Sequence, residues 1–192
     1  MVDETGESPI ADESVAKEEK PEECDEDVRA LRGKLGAGVL SVRLHRDQLA
    51  IEIAPASLVA AANFLRDSRG FDMLSFLAGV DCLELPVSRR FKVTYSLLDL
   101  DRAKRIRLEV PCEDDLAPIL PSVTGVWPTA APHECEAYDL LGIVFEGNDN
   151  LERILTPDGF EGYPHRKDFD ISSEPVAFSF RSTPEGKPKA TE

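Results

Sequence analysis

Hydrophobic and polar residues alternate with two different periods along the first third of the chain. From residue 25 to about residue 35 the apolar positions follow helical spacing, which predicts a short helix. Residues 39–45 and 49–53 alternate with a period of two, which predicts a β-hairpin. Residues 55–66 open with a proline and carry an apolar stripe, so a second helix is expected there.

The pattern continues less evenly through the middle of the chain. Residues 71–85 are apolar almost throughout, which fits either a buried strand or a helix followed by a strand. Residues 90–98 and 106–110 alternate again, which predicts a second hairpin. Prolines confine residues 111–130 to a short helix at most, joined by turns, and a further helix is expected over 132–141.

These elements predict an α+β fold with a mainly antiparallel sheet of four to five strands, helices packed on it, and an extended C-terminal docking arm. The arm is expected because apolar periodicity fades after about residue 145. The predicted division is a disordered acidic tail over 1–24, an α+β domain over 25–145, a partner-wrapping arm over 146–180, and a loose tail over 181–192.

The charge of the chain is concentrated at its N-terminus. The net charge is −15, and residues 1–27 hold 12 acidic residues against two lysines, so this segment carries −10 and the rest −5. The net negative charge disfavours nucleic acid as a partner, because phosphate binding requires clustered lysine and arginine to displace counterions. An acidic arm that docks on a basic partner is the alternative to a purely disordered tail.

The sequence resembles no signal peptide or membrane span, and its cysteine spacing is typical of a protein in a reducing compartment. No apolar run approaches the roughly 20 residues that span a bilayer, and the acidic N-terminus is unlike a signal peptide. The cysteines follow neither a metal-binding nor a disulfide-framework spacing; they are Cys24, Cys82, Cys112 and Cys135. A cytoplasmic protein that meets a membrane only through other subunits is expected.

The chain is organised around residues 127–170. This stretch begins with a helix rich in carboxylates, passes through a glycine-punctuated turn and ends in an extended arm that carries Arg153, Arg166 and Lys167. So many charges and turns add little to the stability of an isolated domain, whereas they add a great deal to a surface that must fit another protein. The stretch is therefore predicted to dock on a partner. Trp127, before a proline, is expected to anchor the linker or to fill a pocket on that partner.

Four ionisable side chains on the predicted helix allow two interpretations. Glu134 and Glu136 favour the positive end of the helix dipole, and Glu136 and Asp139 share one face that is suited to a basic partner. The alternative is acid–base catalysis or a metal site that includes His133. No third ligand stands at motif spacing, which favours docking.

The arm carries its own candidates. Arg166 is expected to make forked hydrogen bonds to a partner's carboxylate or carbonyl groups, with phosphate binding by residues 165–168 as the alternative. Thr156 has no evident base, so a nucleophilic role is disfavoured. The glycines of this region mark sharp turns and form no nucleotide-binding motif.

The run ECEAYDLLGIVFEGNDNLERILTPDGFEGYPHRKDF resembles the signature of the C subunit family of the respiratory NADH:quinone oxidoreductase, complex I. The segments PSVTGVWPTA and FKVTYSLL also look like parts of that family, and the resemblance covers about residues 39–170. The sequence departs from the family pattern at Pro132, Cys135 and residues 148–149.

The resemblance implies a structural subunit in the peripheral arm of a proton-translocating complex, held at the cytoplasmic face of the cell membrane. It would bind no cofactor itself, since NADH, FMN, iron–sulfur clusters and quinone belong elsewhere in the complex. It would dock chiefly on the large quinone-site subunit (the D subunit), near the B and I subunits, which carry iron–sulfur clusters. The implied docking residues are Glu134, Glu136, Asp139, Gly142, Arg153, Thr156, Pro157, Arg166, Lys167 and Asp168.

Two other functions remain open. The resemblance also implies that the same module occurs in energy-converting hydrogenases and in other quinone- or ferredoxin-linked dehydrogenases, and the equivalent subunit there is the alternative that the sequence does not exclude. A free-standing enzyme that uses the carboxylates of residues 132–141 is the third hypothesis.

Overall fold

A computed structural model describes residues 25–46 and 48–170. The predictions for the tail over 1–24, for the last part of the arm over 171–180 and for the tail over 181–192 lie outside the described residues. The helices are α1 (Glu26–Leu35), α2 (Leu58–Arg69) and α3 (Ala130–Leu141). The strands are β1 (Val39–His45), β2 (Gln48–Ile53), β3 (Met73–Asp81), β4 (Phe91–Asp99), β5 (Lys104–Pro111), β6 (Ile119–Pro121) and β7 (Val144–Glu146).

The main sheet has five strands in the order β1-β2-β5-β4-β3, which confirms the predicted α+β fold and its strand number. Both predicted hairpins, β1–β2 and β4–β5, are antiparallel, and β3 joins β4 in the same sense. The two hairpins meet through β2 and β5, which run parallel. The sheet is therefore mixed, with antiparallel pairing at three of its four junctions.

The ambiguous apolar run 71–85 contains one strand, β3, at an edge of this sheet. Helix α3 packs over its inner face at Gly79, where a Cβ atom would lie 2.6 Å from the Cδ1 atom of Leu141. On the outer face Met73 and Phe76 stay partly exposed. The run is apolar on both faces, so its sequence lacks the alternation typical of a half-buried strand.

The segment after β5 differs from the prediction of a short helix at most. It contains β6, which pairs in parallel with β7 from beyond α3. A three-residue strand whose partner lies more than twenty residues later leaves no periodic signal in the sequence. Trp127 is buried and donates through Nε1 to the carbonyl of Phe71 at 3.2 Å. It anchors the linker that leads into α3.

Candidate docking arm

Residues 147–170, which we call the docking arm, contain no helix or strand and follow α3 along its length. The arm passes the first half of α3 near Cys135, whose thiol donates to the carbonyl of Asn150 at 3.3 Å. It reaches the last turn of the helix, where the His165 N–H donates to the carbonyl of Leu140 at 3.0 Å. Its shape is therefore set by contacts with the folded domain.

Glu134 ties the start of the arm to α3. Its carboxylate is fully buried and accepts hydrogen bonds from the Ser122 hydroxyl at 2.8 Å, the Val123 N–H at 2.9 Å and the Asn148 amide at 3.0 Å. Burial raises the pKa of Glu134 above its ordinary value, and these three hydrogen bonds only partly oppose that effect. The side chain joins the segment after β6 to the arm.

Replacing Glu134 with glutamine is expected to change the free energy of unfolding by no more than about 1 kcal/mol near neutral pH. Because the folded-state pKa is raised, Glu134 stabilises the fold below its ordinary pKa of 4.5 and loses that contribution as pH rises through the folded-state pKa. Glutamine does not ionise, so the free energy of unfolding of the variant should increase relative to that of the wild type as pH rises. Urea unfolding over this pH range measures the difference, and a loss above about 3 kcal/mol in neutral solution would contradict it.

Asp139 holds the middle of the arm. It is fully buried, and its Oδ2 atom accepts the backbone N–H groups of Ile154 at 3.1 Å, Leu155 at 2.7 Å and Thr156 at 2.9 Å. Its Oδ1 atom accepts the Thr156 hydroxyl and Arg153 Nη1, the latter at 3.1 Å. Burial opposes ionisation, but the hydrogen bonds outweigh it and lower the pKa of Asp139 to about 2.

The C-terminal turn of α3 receives the next part of the arm. Arg166 donates through Nε to the carbonyl of Leu141 at 2.7 Å and stacks on Tyr163, with its guanidinium carbon 4.6 Å from the ring centroid. A carbonyl at a helix end lacks an intrahelical partner, so this bond satisfies it. Gly142 ends the helix with φ +74° and lies beneath both side chains.

The end of the arm is fixed to the β3–β4 connection. Asp81 Oδ2 accepts the Lys167 N–H at 2.9 Å and Arg90 Nη2 at 2.9 Å. Arg90 also donates through Nη1 to the Asp168 carboxylate at 3.0 Å. Burial opposes ionisation of Asp81, but the bonds from Arg90 and Lys167 prevail and lower its pKa. The arm is therefore secured at both ends and in the middle.

The structure revises the expected orientation of the carboxylates on α3. Glu136 is exposed, whereas Asp139 is buried against the arm, so the two do not form one solvent-facing surface. Glu134 and Asp139 bind separate partners, and the structure does not gather them with Glu136 and His133 into one cluster. Within residues 25–46 and 48–170 no group of three or more metal-binding side chains lies together.

The other predicted docking residues divide in the same way. Their docking role stays a prediction. Arg153, Thr156 and Arg166 are half-buried in contacts with their own chain, Gly142 is buried, and Pro157, Lys167 and Asp168 are exposed. Arg166 does bond to a backbone carbonyl, as its planar donor group suggests, but that carbonyl belongs to this chain.

Sequence reasoning missed the residues that receive the arm. Asp81 and Arg90 lie 78 or more positions before their arm partners, so no local spacing links them. Ser122, which binds Glu134 beside the start of the arm, carries an ordinary loop side chain. One usable signal was Asp81 itself, a carboxylate at the end of an apolar run, because a buried carboxylate requires partners.

No helix in the described part of the chain is long and apolar enough to cross a bilayer.

Comparison with known proteins identifies relatives over most of the chain. Residues 51–175 match the model of the family described as respiratory-chain NADH dehydrogenase, 30 Kd subunit. The C subunit of the NADH-quinone oxidoreductase of Roseiflexus sp. (strain RS-1) is 41% identical over 152 residues, covering 78% of this chain and 86% of that protein. The protein of the same name from Aromatoleum aromaticum is 42% identical over 149 residues, covering 74% of each.

A solved structure shares the fold. A chain of the membrane-bound sulfane sulfur reductase, an archaeal respiratory membrane complex, aligns with a TM-score of 0.63 over 75% of this chain and 84% of its own length. The sequence identity in that alignment is 24%, so the likeness concerns the fold alone.

Proposed function

Because the chain belongs to the family of the 30 kDa subunit of respiratory-chain NADH dehydrogenase, we propose that it is a structural subunit of a proton-translocating NADH:quinone oxidoreductase. In this proposal it sits in the peripheral arm of the complex, on the cytoplasmic side of the membrane. It docks on the quinone-site subunit, near the iron–sulfur subunits.

The fixed shape of the docking arm carries this proposal. Asp139 captures three consecutive backbone N–H groups, and this leaves the neighbouring side chains of Ile154 and Leu155 47% and 59% exposed. Adjacent apolar side chains on a rigid backbone lose little entropy when a partner covers them. The arm thus presents a preformed apolar contact, which suits a permanent interface between subunits.

The proposal assigns no redox step and no cofactor to this chain. NADH, FMN, the iron–sulfur clusters and quinone are bound by other subunits of the complex. The buried carboxylates Glu134 and Asp139 support this division of labour, because their oxygen atoms are already engaged with groups of their own chain.

Replacing Ile154 and Leu155 together with serine is expected to lower the amount of chain retained in the purified complex by tenfold or more. Burial of one such side chain is worth roughly 1.5 kcal/mol or more, and about 1.4 kcal/mol corresponds to a factor of ten. The measurement is quantitative mass spectrometry of complex isolated through a tag on another subunit. Leu100→Ser is the matched control, since Leu100 is 68% exposed on the β4–β5 turn, away from the arm.

A different outcome of this experiment would contradict the structural assignment. If the double variant assembles at wild-type level while turnover per complex falls, the arm has a role in the reaction and the structural assignment is wrong. If the control loses assembly equally, the effect reflects general solubility of the chain.

The alternative assembly is a hydrogenase or another dehydrogenase built on the same module. The relatives at 41% and 42% identity are NADH-quinone oxidoreductase subunits, which supports the first assembly. Copurification with an NADH-oxidising module distinguishes them: recovery of a hydrogenase large subunit instead would replace our assignment.

A further inference from the structure

Two loops at one end of the main sheet form a second surface, separate from the side chains of Ile154 and Leu155. Residues 82–90 connect β3 to β4, and residues 112–118 follow β5. A hydrogen bond of 3.0 Å from the Arg90 N–H to the Asp115 carboxylate holds the loops side by side. We call these two segments the loop surface.

The loop surface exposes large apolar side chains on both loops. Leu83, Leu85 and Val87 are about half exposed on the first loop, and Leu116 is 90% exposed on the second. Single exposed apolar residues need no explanation, but four of them on two joined loops are typical of an interaction site.

The charges around these side chains are mainly acidic. Glu84, Glu113, Asp114 and Asp115 are all exposed. The two basic residues of the loop surface are already engaged: Arg89 donates to the carbonyl of Glu113, and Arg90 binds Asp81 and Asp168. Among the described residues, none makes a hydrogen bond or ion pair with the side chain of Glu84 or Glu113.

We propose that the loop surface binds a neighbouring protein through an apolar segment of that protein flanked by lysine or arginine. The acidic rim selects such a partner by charge complementarity and disfavours an anionic lipid surface. The surface is also continuous with the docking arm, because Arg90 binds both Asp81 at the loop base and Asp168 near the arm's described end.

This inference rests on the proposed assembly of the chain into a complex but not on the arm's apolar contact. The apolar contact of the arm and the binding role of the loop surface can therefore be disproved independently of each other. Loss of assembly in the Ile154/Leu155 double variant tests the arm. A contact mapped at the loops, within complexes that do assemble, tests the loop surface.

The experiment is site-specific photocrosslinking in the intact, membrane-associated complex. A photoreactive amino acid is placed at Leu85 or at Leu116, with Leu100 at the opposite end of β4 as the matched control. The expected result is a crosslink from both loop positions to one other protein, in a peptide with apolar residues flanked by lysine or arginine. The control position should give less than about a tenth of that yield.

A charge-reversal pair tests the rim. Glu84→Lys with Glu113→Lys is expected to lower the crosslink yield from Leu116 by about tenfold, because like charges would then face the partner. Asp101→Lys, an exposed carboxylate on the β4–β5 turn, should leave the yield unchanged. The inference is overturned by crosslinks to lipid, to an acidic peptide or only to residues of this same chain, and equally by yields no higher than at Leu100.

Discussion

Replacing Asp139 with asparagine should release the middle of the docking arm and lower the free energy of unfolding by about 2–3 kcal/mol. The carboxylate has two oxygen atoms, one for the backbone N–H groups of residues 154–156 and one for Arg153 and the Thr156 hydroxyl. An amide has a single acceptor. If its oxygen serves the backbone, its NH₂ group faces the Arg153 guanidinium, and two donors then oppose each other in a buried site.

The pKa of Asp139 gives an independent magnitude and a pH dependence. It is lowered to about 2 from an ordinary value of 3.8, which corresponds to about 2 kcal/mol of stability in neutral solution. A lowered folded-state pKa means that this contribution is present above about pH 4 and disappears as pH falls towards about 2. The stability difference between wild type and variant should therefore shrink over the same window.

Limited trypsin digestion measures release of the arm, because Arg153, Arg166 and Lys167 are cleavage sites within it. We expect cleavage after Arg153 to accelerate about tenfold or more in Asp139→Asn. Glu136→Gln is the matched control, since it neutralises an exposed carboxylate on the same helix without touching the arm. Equal digestion rates for the Asp139 variant and the wild type would show that the remaining anchors hold the arm without this carboxylate.

Sequence patterns predicted the elements whose partners are close in the chain. The β1–β2 and β4–β5 hairpins follow from period-two alternation across short turns. The pairing of β2 with β5, and of β6 with β7, joins segments that are distant in the chain, and no local pattern carries that information. Three-residue strands such as β6 are too short for a periodic signal at all.

The candidate site was located by its motifs, but its geometry was not. Spacing placed Glu136 and Asp139 on one face of α3, which is correct for an isolated helix. It could not show that the chain returns over this face and buries Asp139 while Glu136 stays exposed. The same limit applies to Arg166, whose predicted partner carbonyl is Leu141 of its own chain.

The two buried carboxylates of α3 show why burial alone does not define a role. Glu134 and Asp139 are both fully buried on one helix, yet the pKa of one is raised and that of the other lowered. The difference lies in the donors: Asp139 receives three backbone N–H groups, a hydroxyl and a guanidinium N–H, whereas Glu134 receives one backbone N–H, a hydroxyl and an amide N–H. Asp139 is therefore the stronger anchor of the arm.

Replacing Gly142 with alanine is expected to displace the arm at the C-terminus of α3 and to cost about 2–4 kcal/mol of stability. The residue has φ +74°, where an L side chain is strained by roughly 1 kcal/mol. Its Cβ atom would also lie 2.6 Å from the Tyr163 ring and 2.8 Å from Arg166 Nη2. The stacked pair must move, which breaks the hydrogen bond from Arg166 to the Leu141 carbonyl.

The control variant Gly159→Ala separates the two causes of the expected loss of stability, which are backbone strain and the collision of the new Cβ atom with Tyr163 and Arg166. Gly159 has a similar φ of +81°, but a Cβ atom there meets nothing within 4 Å, so this control carries the backbone strain without the collision. We expect it to lose roughly 1 kcal/mol and to keep the arm in place. Hydrogen exchange at the Arg166 and Lys167 amides measures whether the arm stays in place, and urea unfolding measures the loss of stability. If Gly142→Ala behaves like Gly159→Ala, Tyr163 and Arg166 yield at little cost and are not what holds this part of the arm.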